Sequence, residues 1–230
     1  MALSSGAKSE LEALIHNIVH DLRSPLVTIE SMVVLLRDCV ADRLQGDELG
    51  YLEHIENGAR LMRDLLGDLT ELSLVKPQVE DREAVDTGEV LEQLLVEIAP
   101  EIAKLKGSVK AVGDLPAVHG DPGMVHIVFR ELIDNGLKFR CEGVAPAIRI
   151  SAQKTAGMQE FSVADEGIGI PEQYRDKVFG IFTKLHPRAK YGGNGIGLAL
   201  VKRCVESQGG TVRIEAPQGP GTVVRFTLPV

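Results

Sequence analysis

At 230 residues, 44% of them hydrophobic and 25% charged, the chain is long enough for one or two domains with genuine cores. A net charge of −8 and the absence of Trp argue against a nucleic-acid partner, which calls for a basic face and stacking rings. Cys39, Cys141 and Cys204 are widely spaced and show no metal-ligand pattern, so they fit free thiols in a reducing compartment. No run approaches the roughly 18 apolar residues of a membrane span. The start, MALSSGAKSELEAL, has no apolar segment of signal-peptide length, so the chain is expected to be cytoplasmic with no membrane segment.

The first third reads as helix. Leu11, Ile15, Ile18, Leu22, Leu26, Ile29, Val33 and Leu36 recur in steps of three and four, the period of one helix face. Asp42–Gly50 carries turn residues and predicts a break. Leu52, Ile55, Ala59, Met62, Leu66 and Leu69 then alternate by three and four, as in a coiled-coil seam. One hairpin cannot bury both stripes, whereas two hairpins in a four-helix bundle can, so a homodimer is expected.

Val75–Asp86, with its proline and charge cluster, reads as a linker, giving expected divisions of 1–76, 77–86 and 87–230. Beyond it Glu89–Leu105 reads as one helix. Short runs rich in β-branched residues (SVKAV, AIRIS, EFSVA, TVRIEA, TVVRFTLPV) read as strands, with MVHIVFRELIDNGLKF and GIGLALVKRCVESQ as helices between them. The expected second domain is α+β with one mixed sheet, not a strictly alternating βαβ fold.

His20 sits awkwardly in the first helix. At 100° per residue it lies about 200° from both Ile18 and Leu22, so it is expected to point away from the apolar seam and into solvent. His16 and His20 have metal-chelating spacing, but the intervening NIV lacks the glutamate of H-E-x-x-H and no third ligand is evident. Pro25 removes the backbone bond to residue 21 and is expected to bend the helix one turn beyond His20.

HDLRSPL (His20–Leu26) resembles the H-box of sensor histidine kinases, with Asp21 and Ser24 where that family usually has Glu and Thr or Asn. Three more segments match in the family's order. ELIDNGLKF (Glu131–Phe139) resembles the N-box; on a helix its Glu131, Asn135 and Lys138 share one face. VADEGIGIP (Val163–Pro171) resembles the G1 box, with Asp165 followed by Gly167 and Gly169. GGNGIGLAL (Gly192–Leu200) resembles the G2 box, with Gly193, Gly195 and Gly197 leading into a helix whose free N–H groups suit phosphates. No Walker A loop occurs, and the glycine order misses the Rossmann spacing. The stretch between the last two boxes resembles the lid over the nucleotide, with Phe179 and Phe182 as an F-box and Lys184, His186 and Arg188 as candidates for the γ-phosphate. FTKLHPR and the residues after it look closest to kinase modules of phytochrome-type receptors.

The resemblance implies a transmitter module: a dimerisation and phosphotransfer hairpin followed by an α/β-sandwich ATP-binding domain of the Bergerat (GHKL) type. It implies ATP and Mg²⁺ as cofactors, His20 as the phosphorylated nucleophile and Asp21 as its hydrogen-bond partner. By the same resemblance Asn135 and Glu131 serve the metal, while Lys138, Lys184 and the G2 glycines serve the phosphates. Asp165 reads adenine, beside Gly167 and Gly169. The phosphoryl group would pass to an aspartate on the receiver domain of a separate response regulator. Two alternatives are weighed against this. Another enzyme on the same ATPase fold would lack the helical hairpin of residues 10–40 with its histidine motif. A catalytically silent or activator-dependent ATP-binding scaffold would first lose Asn135, Asp165 or the G2 glycines, all of which are present.

Overall fold

Steps of three and four in the apolar residues fold into two long helices, α1 (Ser5–Val40) and α2 (Asp47–Leu74). The structure, a computed structural model, describes residues 5–40, 47–76, 79, 82–187, 191–217 and 219–230, and only the backbone of residues 5–17, 20 and 40. The chain divides into two compact units, Met1–Leu74 and Val75–Val230.

In the first unit the helices run antiparallel. Arg23 donates to Thr70, Arg63 pairs with Glu30 at 2.9 Å, and Arg37 pairs with Glu56, so seven-residue steps up α1 meet seven-residue steps down α2. Such exposed pairs add little stability. The apolar contacts supply more: Val19, Leu26 and Val33 of α1 are buried, as are Leu52 and Ala59 of α2. Other apolar residues of α1 stay open, with Ile18, Leu22, Ile29 and Leu36 each 42–50% exposed. α1 continues unbroken through Pro25 to Val40. Of the turn expected at Asp42–Gly50, residues 42–46 lie outside the described residues. Asp47–Gly50 instead begin α2, where Asp47 and Glu48 favour the positive end of the helix dipole.

In the second unit β1 (Glu83–Val85) leads into α3 (Thr87–Glu97), capped by Asp86, and α4 (Ala99–Lys104). One helix was expected over Glu89–Leu105. Pro100 has no N–H to continue the ladder, and the break falls at Ile98. β2 (Ser108–Ala111) and β3 (Val118–Gly120) precede α5 (Pro122–Lys138), followed by β4 (Ala147–Thr155), β5 (Met158–Asp165), α6 (Gly197–Ser207), β6 (Val212–Glu215) and β7 (Thr222–Pro229). Five strands form one mixed sheet in the order β2-β4-β5-β7-β6, with only β2 and β4 parallel. β1 and β3 form a separate antiparallel pair that the sequence reading did not anticipate.

Alternation along the strands decides the two faces. Ile148, Ile150, Phe161, Val163, Val224 and Phe226 turn inward and are buried. Phe129 of α5 meets Phe161 and Phe226 edge-on at 5.8 and 5.9 Å, and those two rings stack at 5.1 Å. The other face carries ions. Glu160 bonds Arg213 at 2.7 Å and Arg225 at 3.4 Å, and Glu215 bonds the same two arginines. The Arg213 hydrogen bond holds the Glu160 carboxyl below its ordinary range.

Candidate nucleotide-binding site

α5 carries the first wall. Asp121 caps it through Met124 N–H at 2.9 Å and Pro122 occupies the first turn, so the helix starts in a defined place. Glu131, Asn135 and Lys138 then follow at offsets of four and three. All three meet the glycine loop before α6. A Cβ at Gly197 would fall on the Glu131 carboxylate, 3.9 Å from Asn135 Nδ2, and one at Gly193 would fall on Lys138 Nζ. Gly195, at φ +76°, lies where a side chain would strike Thr183 O at 2.6 Å and Lys184 Cγ at 3.0 Å. Larger residues there would displace the cations from the loop.

The loop ends in a helix start without a side-chain cap. Asp86 and Asp121 cap α3 and α5, whereas Ile196, before α6, offers no side-chain acceptor. The first N–H groups of α6 therefore receive no cap from the residue before the helix.

The second wall is the end of β5. Asp165 is partly buried, and its Oδ1 accepts from Gly167 N at 2.8 Å and Thr222 N at 3.2 Å. Burial pushes the Asp165 carboxyl above its ordinary range, and the bonds from Gly167 and Thr222 only partly offset this. Gly169, at φ +75°, lies 2.9 Å (from its would-be Cβ) from Gly221 O, which brings the G1 turn against the start of β7.

Two residues at this junction escaped the motif reading. Gly136 lets α5 close on the sheet, since a Cβ there would lie 2.7 Å from Ile148 Cδ1 and 3.3 Å from Asp165 Cβ. A glycine inside a helix costs about 1 kcal/mol, and that cost was its only signal. Phe139 accepts from Ile168 N at 2.9 Å through its carbonyl, while its ring lies 5.4 Å from Tyr191, 6.3 Å from His186 and 5.2 Å from Lys138 Nζ. The lid stretch holds two short 3₁₀ turns, Glu172–Tyr174 and Lys177–Phe179. Phe179 lies under Lys202 of α6, and Phe182 is exposed at φ +62°.

His20 lies on α1, and Asp21 beside it is exposed; the expected exposure of His20 lies outside the described residues, as does Arg188. Among the described residues no three His, Cys, Asp or Glu side chains are grouped to hold a metal by themselves. The amide of Asn135 nevertheless fits a ligand-assisted site. Its Nδ2 is buried without a hydrogen-bond partner among the described residues, an arrangement that costs about 1–3 kcal/mol unless a ligand supplies one. Turned over, the same amide presents its oxygen, a hard donor suited to Mg²⁺.

This geometry is matched by descent. Residues 120–230 match the family described as histidine kinase-, DNA gyrase B- and HSP90-like ATPase. The chain is 35% identical over 96% of its length to the methanogenesis regulatory histidine kinase FilI of Methanothrix harundinacea, of which it covers 25%. It is 33% identical over 97% of its length to cyanobacterial phytochrome A of Nostoc sp., covering 29% of that protein. It spans between a quarter and a third of these relatives. Full-length ShkA in complex with AMPPNP shares the fold, with a TM-score of 0.71 at 22% identity over 94% of this chain and 45% of that one. The second unit thus carries a GHKL ATPase domain. Along nearly its whole length the chain is similar to the transmitter part of sensor histidine kinases.

Proposed function

We propose that the chain is an ATP-dependent protein histidine kinase of a two-component system, phosphorylated at His20. The observation that carries this is the convergence of Glu131, Asn135 and Lys138 on the glycine loop at the uncapped start of α6. The partly buried carboxyl of Asp165 lies on the same domain. Residues 1–76 serve as the dimerisation and phosphotransfer hairpin, residues 77–86 as linker and residues 87–230 as the catalytic domain.

Asp165 accepts a hydrogen bond from the adenine amino group, next to the turn at Gly167 and Gly169. Lys138, Lys184 and the N–H groups following Gly193 and Gly195 hold the phosphates, and Gly197 leaves room for Glu131. Asn135 and Glu131 hold Mg²⁺, which when bound neutralises phosphate charge. His20 attacks the γ-phosphorus through Nε2 while the bond to the bridging oxygen breaks and ADP leaves with that electron pair. Asp21 accepts a hydrogen bond from Nδ1–H, which fixes the tautomer and favours the cation formed. Phosphoryl transfer asks mainly for positioning and charge neutralisation, so these groups suffice.

The phosphoryl group then passes to an aspartate of a separate response regulator. Val27 and Val34, seven and fourteen residues beyond His20 on α1, are 53% and 54% exposed and offer a docking stripe on the His20 side of the helix. Three free cysteines fit a cytoplasmic setting.

Incubation with γ-labelled ATP and Mg²⁺ tests the reading. Wild type is expected to take up label that resists alkali and is lost in acid. His20→Gln and Asn135→Ala are each expected to reduce it by at least about 100-fold. ATP binding with no such label would put the silent scaffold in its place.

A further inference from the structure

We propose that Arg203 is a positioning residue for phosphoryl transfer, clasping the chain where it leaves the helical hairpin and tying that exit to the helix that begins at the phosphate loop. Arg203 lies outside the four motif boxes, and its role rests on the kinase reading above.

Val75 is the first residue after α2. Its carbonyl accepts two hydrogen bonds from Arg203, from Nε and Nη2, each at 3.0 Å. Four residues on, Val79 N–H donates to Ser207 O at 3.1 Å, satisfying a carbonyl in the last turn of α6. Both valines are buried, at 3% and 8% exposed. Arg203 and Ser207 are one helical turn apart, so the two bonds hold the segment along about 6 Å of α6. Two converging N–H groups on a planar fork are a property of arginine, and lysine supplies only a point donor on a flexible stem.

The other end of α6 is Gly197, against Glu131 and Asn135. One rigid helix, with about 9 Å between Gly197 and Arg203, therefore joins the phosphate loop to the point where the hairpin's chain arrives. Were residues 75–79 free, the catalytic domain would swing on a flexible tether, and the reacting groups would share a wide range of separations. The clasp instead fixes Val75 and Val79 to α6. Phosphoryl transfer is sensitive to placement at about the ångström level, so that restriction acts on the transfer step and not on nucleotide binding.

Full-length Arg203→Gln, Arg203→Lys and Val79→Pro test this with three readouts. These are the rate of His20 labelling at saturating ATP and Mg²⁺, the affinity for a fluorescent ATP analogue, and amide hydrogen exchange at Val79. Arg203→Gln is expected to slow labelling about tenfold with affinity unchanged within about twofold. Arg203→Lys should recover part of the rate, because one donor remains. Val79→Pro removes the second bond from the other side and should slow labelling similarly. Exchange at Val79 should quicken in Arg203→Gln. Wild-type rates in both Arg203→Gln and Val79→Pro, or an affinity loss matching the rate loss, would overturn the role. Were wild type itself to take no label, the kinase reading would fail, and unchanged Val79 exchange in Arg203→Gln would then reject the clasp.

Discussion

The Asp165 carboxyl is drawn two ways, raised by burial and lowered less by the N–H groups of Gly167 and Thr222. An acid whose folded pKa exceeds its unfolded value contributes stability below the unfolded value, and that stability is lost as pH rises through the folded one. At neutral pH the nucleotide-free protein therefore keeps a destabilising carboxylate at this position. Asp165→Asn keeps an oxygen for the same two N–H groups, so it is expected to melt higher than wild type at pH 7. The difference should vanish below the ordinary aspartate range. The same substitution should weaken nucleotide binding about 10- to 100-fold, since a hydrogen bond to a charged group is lost. Wild-type affinity should also fall on acidification, beginning above the pH at which a free aspartate titrates, while the variant stays flat relative to it. Calorimetry of both proteins between pH 4 and 8 would check each point; a lower melting temperature for the variant at pH 7 would count against burial as the dominant influence. Such polar residues were legible because they recur at fixed offsets within short motifs. Gly136 and Phe139 were not, because what they contact comes from strands and loops far along the chain.

At the scale of elements, the relation between α5 and α6 decides whether the site exists. Gln208, fully buried just after α6, accepts from Asp121 N at 2.9 Å and donates to Cys204 O at 2.9 Å. Gly120 has no side chain where a Cβ would meet the Gln208 amide. The end of α6 is thus tied to the cap of α5, and the opposite end of each helix reaches the phosphate loop. Gln208→Ala leaves the Asp121 N–H without its acceptor and opens a cavity, so a loss of about 2–4 kcal/mol is expected in urea unfolding. A change below about 0.5 kcal/mol would show that the tie contributes little. The sequence pattern identified both helices and the long strands, whose periodicity is internal to each segment. It missed the break at Ile98, where a single proline overrode an otherwise helical run, and the β1–β3 pair, three residues long on each side with its partner more than thirty residues away.

At the scale of the molecule, several large apolar residues of the described hairpin are exposed. Ile18, Leu22, Ile29 and Leu36 of α1 are 42–50% exposed, and Ile55 and Met62 of α2 are 50% and 46% exposed. Aligned stripes of this kind, on two helices already packed by their other faces, suit a second hairpin in a four-helix bundle. The double variant Ile29→Glu, Met62→Glu places charges within that stripe. It is expected to raise the dimer dissociation constant by at least about 100-fold while leaving ATP affinity unchanged, because the nucleotide site lies wholly in Val75–Val230. Sedimentation equilibrium would read this directly, and an unchanged dimer would locate the interface elsewhere.

By itself the sequence determined the order of the long helices and the five strands of the main sheet, the family resemblance and the residues with chemistry to offer, since periodicity and motif spacing are local properties of a chain. The tertiary structure alone decided which of those residues meet. Glu131, Asn135 and Lys138 reach Gly193 and Gly197 from more than fifty positions away, and Arg203 reaches Val75 across 128. Such contacts follow from packing two helices on one twisted sheet, where close approach depends on missing Cβ atoms and shared burial. No local pattern in the chain encodes that distance.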